Sequence, residues 1–127
     1  MHTVRLISFG YLHLHGGPPP QADRIEDVRD RLRDPAAAAG ILDLDGRDPR
    51  VQEVVANTRG ARDLLDNLID YVERCGPRSI AIGCAGGKHR AGSLVELSAR
   101  ELRRLGYHVE IEHQHIHLPR VLKAAER

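Results

Sequence analysis

Tryptophan is absent from the 127 residues, phenylalanine occurs once, and aromatic side chains make up only 3% of the chain. A hydrophobic core must therefore be built from Val, Ile, Leu and Ala. Cysteine is nearly missing as well. Cys75 and Cys84 are too few for a disulfide framework, and a reducing compartment suits them as thiols. No apolar run approaches the roughly 18 residues of a membrane span, and no stretch near the start reads as a signal-peptide core. These absences predict a cytoplasmic protein with no membrane partner. An excess of one charge is lacking too: 19 Lys and Arg against 18 Asp and Glu leave +1. Bulk attraction to nucleic acid is excluded, and any RNA or phosphate binding must come from a local cluster.

What is present is the composition of a soluble globular domain, 41% apolar and 29% charged. Residues 1–127 fit one domain with a real core. The chain is organised around Ile80-Ala81-Ile82-Gly83-Cys84-Ala85-Gly86-Gly87-Lys88-His89-Arg90-Ala91-Gly92-Ser93. It opens as a buried strand of a parallel sheet, passes through small residues and a glycine pair, and becomes helical in spacing from Leu94. Such a junction aims backbone N–H groups at one point and adds the positive end of the helix dipole. With Lys88, His89 and Arg90 alongside, it reads as a phosphate-type loop comprising Cys84, Ala85, Gly86, Gly87, Lys88, His89 and Arg90.

Around that loop the pattern is α/β. Thr3 to Phe9 reads as a first strand ending at Gly10, followed by an irregular loop carrying Gly16-Gly17-Pro18-Pro19-Pro20. His13 and His15 fall there, where ligand contacts gather in open α/β sheets. Exposed surface histidines are nevertheless the commoner outcome. Arg24 to Arg29 reads as a second strand, with an early helix over Ala22 to Leu32 as the alternative. Asp34-Pro35 stops that segment, and a short helical turn is expected over Ala36 to Ala39.

Asp48 is placed to cap a helix with Pro49 in its first turn. Val51, Val54, Val55, Thr58, Leu65, Leu68, Ile69 and Val72 then recur at helical steps. Gly60 can divide that helix, and Cys75-Gly76-Pro77 ends it, with Cys75 read as a small apolar filler. Leu94, Val95, Ser98, Leu102 and Leu105 mark a second amphipathic stretch. Arg100, Arg103 and Arg104 fall on its outer face, read as solvated. Tyr107 to His113 alternates as a last strand. The fold expected is a single α/β domain, a mostly parallel sheet of about four strands flanked by helices, with the phosphate-type loop between a central strand and a helix.

Two chemistries fit the loop. Cys84 to Arg90 has the Cys-x5-Arg spacing of protein tyrosine phosphatases, in which a thiolate attacks phosphorus and an arginine holds its oxygens. Asp27, Asp45 or Asp48 would then have to serve as general acid. In this alternative Cys84 is the nucleophile and Arg90 the phosphate ligand, although Ala91 lacks the hydroxyl that assists the departing thiolate. A further alternative concerns His113, His115 and His117. Their period-two spacing would place them on one strand face, where three histidines can hold zinc or another divalent metal.

The second chemistry is binding. Ser8-Phe9-Gly10, Asp27-Val28-Arg29, Gly46-Arg47-Asp48-Pro49-x-Val51, Ala81-Ile82-Gly83-Cys84-x-Gly86-Gly87-x-His89-Arg90 and Gly106-Tyr107-x-Val109 occur in that order, with His113 beyond. Over roughly residues 5 to 115 this series resembles the C-terminal domain of the RapZ family of RNase adapter proteins, often called nucleotide-binding proteins. The resemblance implies an α/β domain similar to a phosphofructokinase subdomain. It would bind a phosphorylated small molecule, glucosamine-6-phosphate, and a small regulatory RNA, without performing chemistry. Carried over by motif, the pocket draws on Ser8, Gly10, Asp27, Arg29, Arg47, Asp48, Cys84, Gly86, Gly87, His89 and Arg90. The 127 residues contain no Walker-type Gly-Lys-Ser/Thr loop, so nucleotide hydrolysis is not implied and no cofactor is expected. A homo-oligomer is left open.

Overall fold

The computed structural model describes residues 3–32 and 40–119. The turn expected over Ala36 to Ala39 lies outside the described residues. Four strands form one sheet: β1 (Thr3–Gly10), β2 (Arg24–Asp27), β3 (Ser79–Cys84) and β4 (His108–His113). Their order is β2-β3-β1-β4, and every pairing is parallel. The helices are α1 (Pro49–Ala56), α2 (Ala61–Cys75) and α3 (Arg90–Arg104). A 3-10 turn (Tyr11–Leu14) follows β1 directly. The second segment is thus a strand and not an early helix.

Alternation along the strands divides the side chains between two faces. Val4, Leu6, Ile80, Ile82 and Val109 point into the main core, where they meet Leu64, Leu68, Leu94, Val95 and Leu102 of the helices. Ile7, Phe9 and Ala81 form a smaller cluster on the opposite face, covered by Tyr11, Leu14 and Ala22. The rings of Phe9 and Tyr11 meet edge to face at 4.8 Å, giving this aromatic-poor chain its one aromatic pair among the described residues.

The helix boundaries follow local chemistry. Asp48 caps α1 by accepting from the Arg50 amide, and Pro49 occupies the first turn. Gly60, at φ +90°, separates α1 from α2 in a left-handed conformation that a Cβ would strain. Two expectations need correction. Cys75 is exposed at the end of α2, because the helix has by then turned its last residue away from the sheet. Leu105 lies beyond the last turn of α3 and is 47% exposed, so the apolar stripe ends at Leu102.

Candidate functional site

Parallel strands place their carboxyl ends together, and in open α/β sheets ligands collect there. Cys84 ends β3 at that edge, and Arg90 begins α3 five residues after Ala85. The loop between them rests on the end of β1. A Cβ on Gly10 would come 2.4 to 2.7 Å from backbone atoms of Gly86 and Gly87, so those backbones touch directly. Gly87 also has φ +72°. Leu12 donates its amide to the Ala85 carbonyl at 3.0 Å, binding the 3-10 turn to the same loop.

On another side, Gly46 donates its amide to the Lys88 carbonyl at 2.7 Å and lies against the backbone of Gly92 and Ser93. The third side is the exit of β2, where Val28 donates its amide to the Gly83 carbonyl at 2.9 Å. Three segments distant in sequence therefore frame the loop, as the motif series requires.

Inside the frame the polar groups have distinct tasks. Cys84 is buried, and its sulfur accepts from the amides of Gly87 at 3.1 Å and Ala91 at 3.5 Å. The amides of Gly86 and Lys88 have no acceptor among the described residues. The space above Gly86 is open, with nothing within 4 Å of where a Cβ would stand. The half-buried Lys88 finds no ion-pair partner among the described residues. His89 is buried, with Nε2 3.2 Å from the Leu42 carbonyl.

Arg90 is also buried. Its Nη1 donates to the carbonyls of Leu32 at 2.7 Å and Arg29 at 3.1 Å, bracing the segment after β2, while its Nε has no partner. In this structure that guanidinium joins the loop to β2's exit. The remaining motif residues lie around the rim or beneath it. Asp27 forks onto Arg29, whose guanidinium lies 3.7 Å above the Tyr11 ring. Arg47 pairs with Asp45, and Asp48 with Arg50. In each case the hydrogen-bonding guanidinium holds the carboxyl below its usual range. Asp27, Asp45 and Asp48 are thereby kept ionised near neutrality, the wrong state for a general acid.

Ser8 is fully buried below the rim. Its hydroxyl lies 2.6 Å from Nδ1 of His113, the residue it faces across the β1–β4 register, and Nε2 of His113 lies 2.8 Å from Glu96. This chain of contacts ties β1, β4 and α3 under the site. Glu96 has no signature in the sequence: it is one carboxylate within α3, off the face of the buried Leu94. The three histidines expected on one strand face are not gathered: β4 ends at His113, and His115 turns to accept the Gly10 amide on Nδ1 at 2.8 Å. Among the described residues no group of three or more His, Cys, Asp or Glu is placed to hold a metal ion.

The family model for the RapZ C-terminal domain matches residues 2–117. The chain belongs to the RapZ C-terminal domain family. Among curated relatives, a nucleotide-binding protein of Nitratidesulfovibrio vulgaris (strain DP4) is 36% identical over 124 residues, covering 91% of this chain and 40% of the relative. One from Thermobifida fusca is 35% identical over 120 residues, 87% of this chain and 40% of that protein. One from Acidiphilium cryptum is 33% identical over 121 residues, 88% and 39% respectively. The chain thus spans about two fifths of the length of these relatives, the part that corresponds to the RapZ C-terminal domain. Among the described residues no helix is long and apolar enough to cross a membrane.

Proposed function

We propose that this chain is a non-catalytic binding domain that seats a phosphorylated small molecule on the Cys84–Arg90 loop. The observation that carries this reading is the open space above Gly86, flanked by the Gly86 and Lys88 amides and the Lys88 ammonium, all without a partner among the described residues, just before the start of α3. The relatives' name, nucleotide-binding protein, supports a phosphorylated ligand. Family membership favours a sugar phosphate such as glucosamine-6-phosphate.

Thermal stabilisation by a panel of glucosamine-6-phosphate, glucose-6-phosphate, adenosine monophosphate and inorganic phosphate tests the proposal. A ligand at about 100 times its Kd adds about 2.7 kcal/mol to stability, a readily measured rise in Tm. If no phosphorylated compound raises Tm at millimolar concentration, the reading is wrong.

The Cys-dependent phosphatase remains the second reading, favoured by the two amides directed at the Cys84 sulfur. Such donors stabilise a thiolate. The three ionised aspartates argue against it. Turnover of para-nitrophenyl phosphate that disappears in Cys84→Ser would establish it. The binding reading expects no turnover and unchanged ligand affinity in that variant.

Structured RNA is the other partner that the family suggests. The arginines of α3 offer it little: Arg100 is held by Gln52, Arg103 by the Val109 carbonyl and Arg104 by Glu101. With a net charge of +1, RNA affinity would have to come from Lys88 and neighbouring histidines, and would fall with salt. Gel shifts at low salt, with and without the sugar phosphate, separate RNA bound at the loop from RNA bound elsewhere.

A further inference from the structure

Two histidines from separate segments, His13 and His115, meet beside the loop, and each has another histidine two residues on in its own segment. His13 and His15 come from the 3-10 turn and the residue after it, and His115 and His117 from the segment that follows β4. The rings of His13 and His115 lie 5.1 Å apart. Only Gly10 separates this group from the loop, since its amide donates to His115 while its backbone touches Gly86 and Gly87.

Among the described residues the surroundings of His13, His15, His115 and His117 supply no counter-charge. Among the described residues, ion pairs to histidine are confined to His108–Glu110 and His113–Glu96. On β2, Asp27 is neutralised by Arg29 over Tyr11, and Glu26 by Arg24 and Arg31. On β4, Glu112 is held by Arg5 and Gln114. The Pro119 carbonyl is the acceptor offered to His13, and Nε2 of His13 is buried without a partner among the described residues. Imidazoles with no carboxylate partner among the described residues form an incomplete electrostatic arrangement. Each proton added raises the cost of the next, unless an anion arrives with it.

We propose that His13, His15, His115 and His117 form a second anion subsite beside the phosphate loop, charged by proton uptake when an anionic ligand binds; at His115 the added proton goes onto Nδ1 and displaces the Gly10 amide, which is then free to donate to the anion. This rests on the phosphate-loop reading above. The ligand class it selects carries negative charge beyond the group held by the loop, or a dianionic phosphate reaching both. Its affinity rises as pH falls from about 8 toward 6. Burial and the neighbouring imidazoles push His115 below its ordinary value, and burial does the same for His13, so those two rings are neutral at physiological pH without an anion. By linkage, whatever anion raises those values must bind more tightly at lower pH.

Sulfate is the appropriate probe, because it stays a dianion throughout this range whereas a phosphate monoester gains a proton near pH 6. Calorimetric titration of the whole chain with sulfate at about pH 8 and about pH 6 should show affinity at least about tenfold higher at the lower value. Proton uptake should appear as a dependence of the binding heat on buffer ionisation enthalpy. The variant His13→Gln/His115→Gln should bind with affinities at the two pH values within about threefold of each other. Should that pair not fold, the exposed pair His15→Gln/His117→Gln should show a reduced pH dependence instead.

Sulfate binding with no pH dependence overturns the subsite and leaves the loop intact. So does a dependence that survives in the variants, which would assign it to His89. Absence of sulfate binding at both pH values overturns the loop reading and the subsite with it.

Discussion

Gly10 and Gly87 lie backbone against backbone. A Cβ on Gly10 would stand 2.7 Å from the Gly87 nitrogen, and a Cβ on Gly87 would stand 2.7 Å from the Gly10 nitrogen. The end of β1 and the turn of the phosphate loop can approach this closely only because both positions lack a side chain. The partner atoms are backbone, which cannot rotate out of the way as a flexible side chain does. The contact fixes the height of the loop above the sheet.

Gly87→Ala should therefore damage fold and site together. The left-handed φ alone costs about 1–2 kcal/mol for an L-residue, and the collision with Phe9 and Gly10 adds to it. Urea unfolding should show the loss. Ligand-induced stabilisation should vanish even under conditions where the variant is folded. Retained stability with normal ligand binding would contradict the contact.

Arg90→Met should destabilise the protein whether or not ligand is present. The substitution leaves the carbonyls of Leu32 and Arg29 without their buried donor, at about 1–3 kcal/mol for an unsatisfied group. Had the guanidinium served only an exposed anion, stability without ligand would be unaffected. Denaturant midpoints measured in phosphate-free buffer distinguish the two cases.

Glu96→Ala should loosen the join between α3 and β4. It strips His113, whose side chain is 11% exposed, of its carboxylate partner and leaves Nε2 unpaired, a loss of about 1–3 kcal/mol. Hydrogen exchange should become faster at the β1–β4 pairing than at β1–β3. Uniform acceleration across the sheet would mean that the contact acts only through global stability.

Acid should remove the contribution of Asp45. Its pairing with Arg47 lowers the folded-state value below the ordinary 3.8, so the stabilisation is present above about pH 4 and is lost as pH falls through that lowered value. Asp45→Asn should reduce stability at neutral pH and flatten the decline below pH 4. An unchanged acid limb in urea titrations would show that the pair contributes nothing.

The histidine group acts in the same direction at a higher pH, through the cost of charging a buried imidazole. His13 and His115 titrate below their ordinary value of 6.5, so the unfolded chain binds more protons between the two values. Stability without anions should therefore be complete above about pH 6.5 and fall as pH drops toward the lowered values. Added sulfate should restore it. A Tm that stays level from about pH 7.5 to 5.5 in chloride buffer would contradict this.

Much of the architecture is legible in the residues themselves. The apolar run Ile80 to Gly83 followed by small residues specified a buried strand and a turn, and Asp48-Pro49 and Gly60 placed helix boundaries that the structure keeps. These features rest on local physics: an apolar run, a cap, a ring that fixes φ, a glycine that tolerates φ above zero. Positions at helix ends were less legible. Cys75 and Leu105 continue an apolar spacing, but whether a terminal residue faces the core depends on where the helix stops.

The sequence by itself determined the strand–loop–helix junction, the order of its companion motifs and the α/β class, because each depends on residues within a few positions of one another. Only the tertiary structure decided which partners the polar groups take. It turned Arg90 toward the carbonyls of Arg29 and Leu32, set Ser8 against His113 and Glu96, and brought His13 to within 5.1 Å of His115. Those pairings depend on β4 lying beside β1 in one register, with the chain leaving it by a turn at His113. A one-residue slip would face His113 away from Glu96, and no local pattern in either segment records the register. It is set where the whole sheet buries its apolar face against the helices.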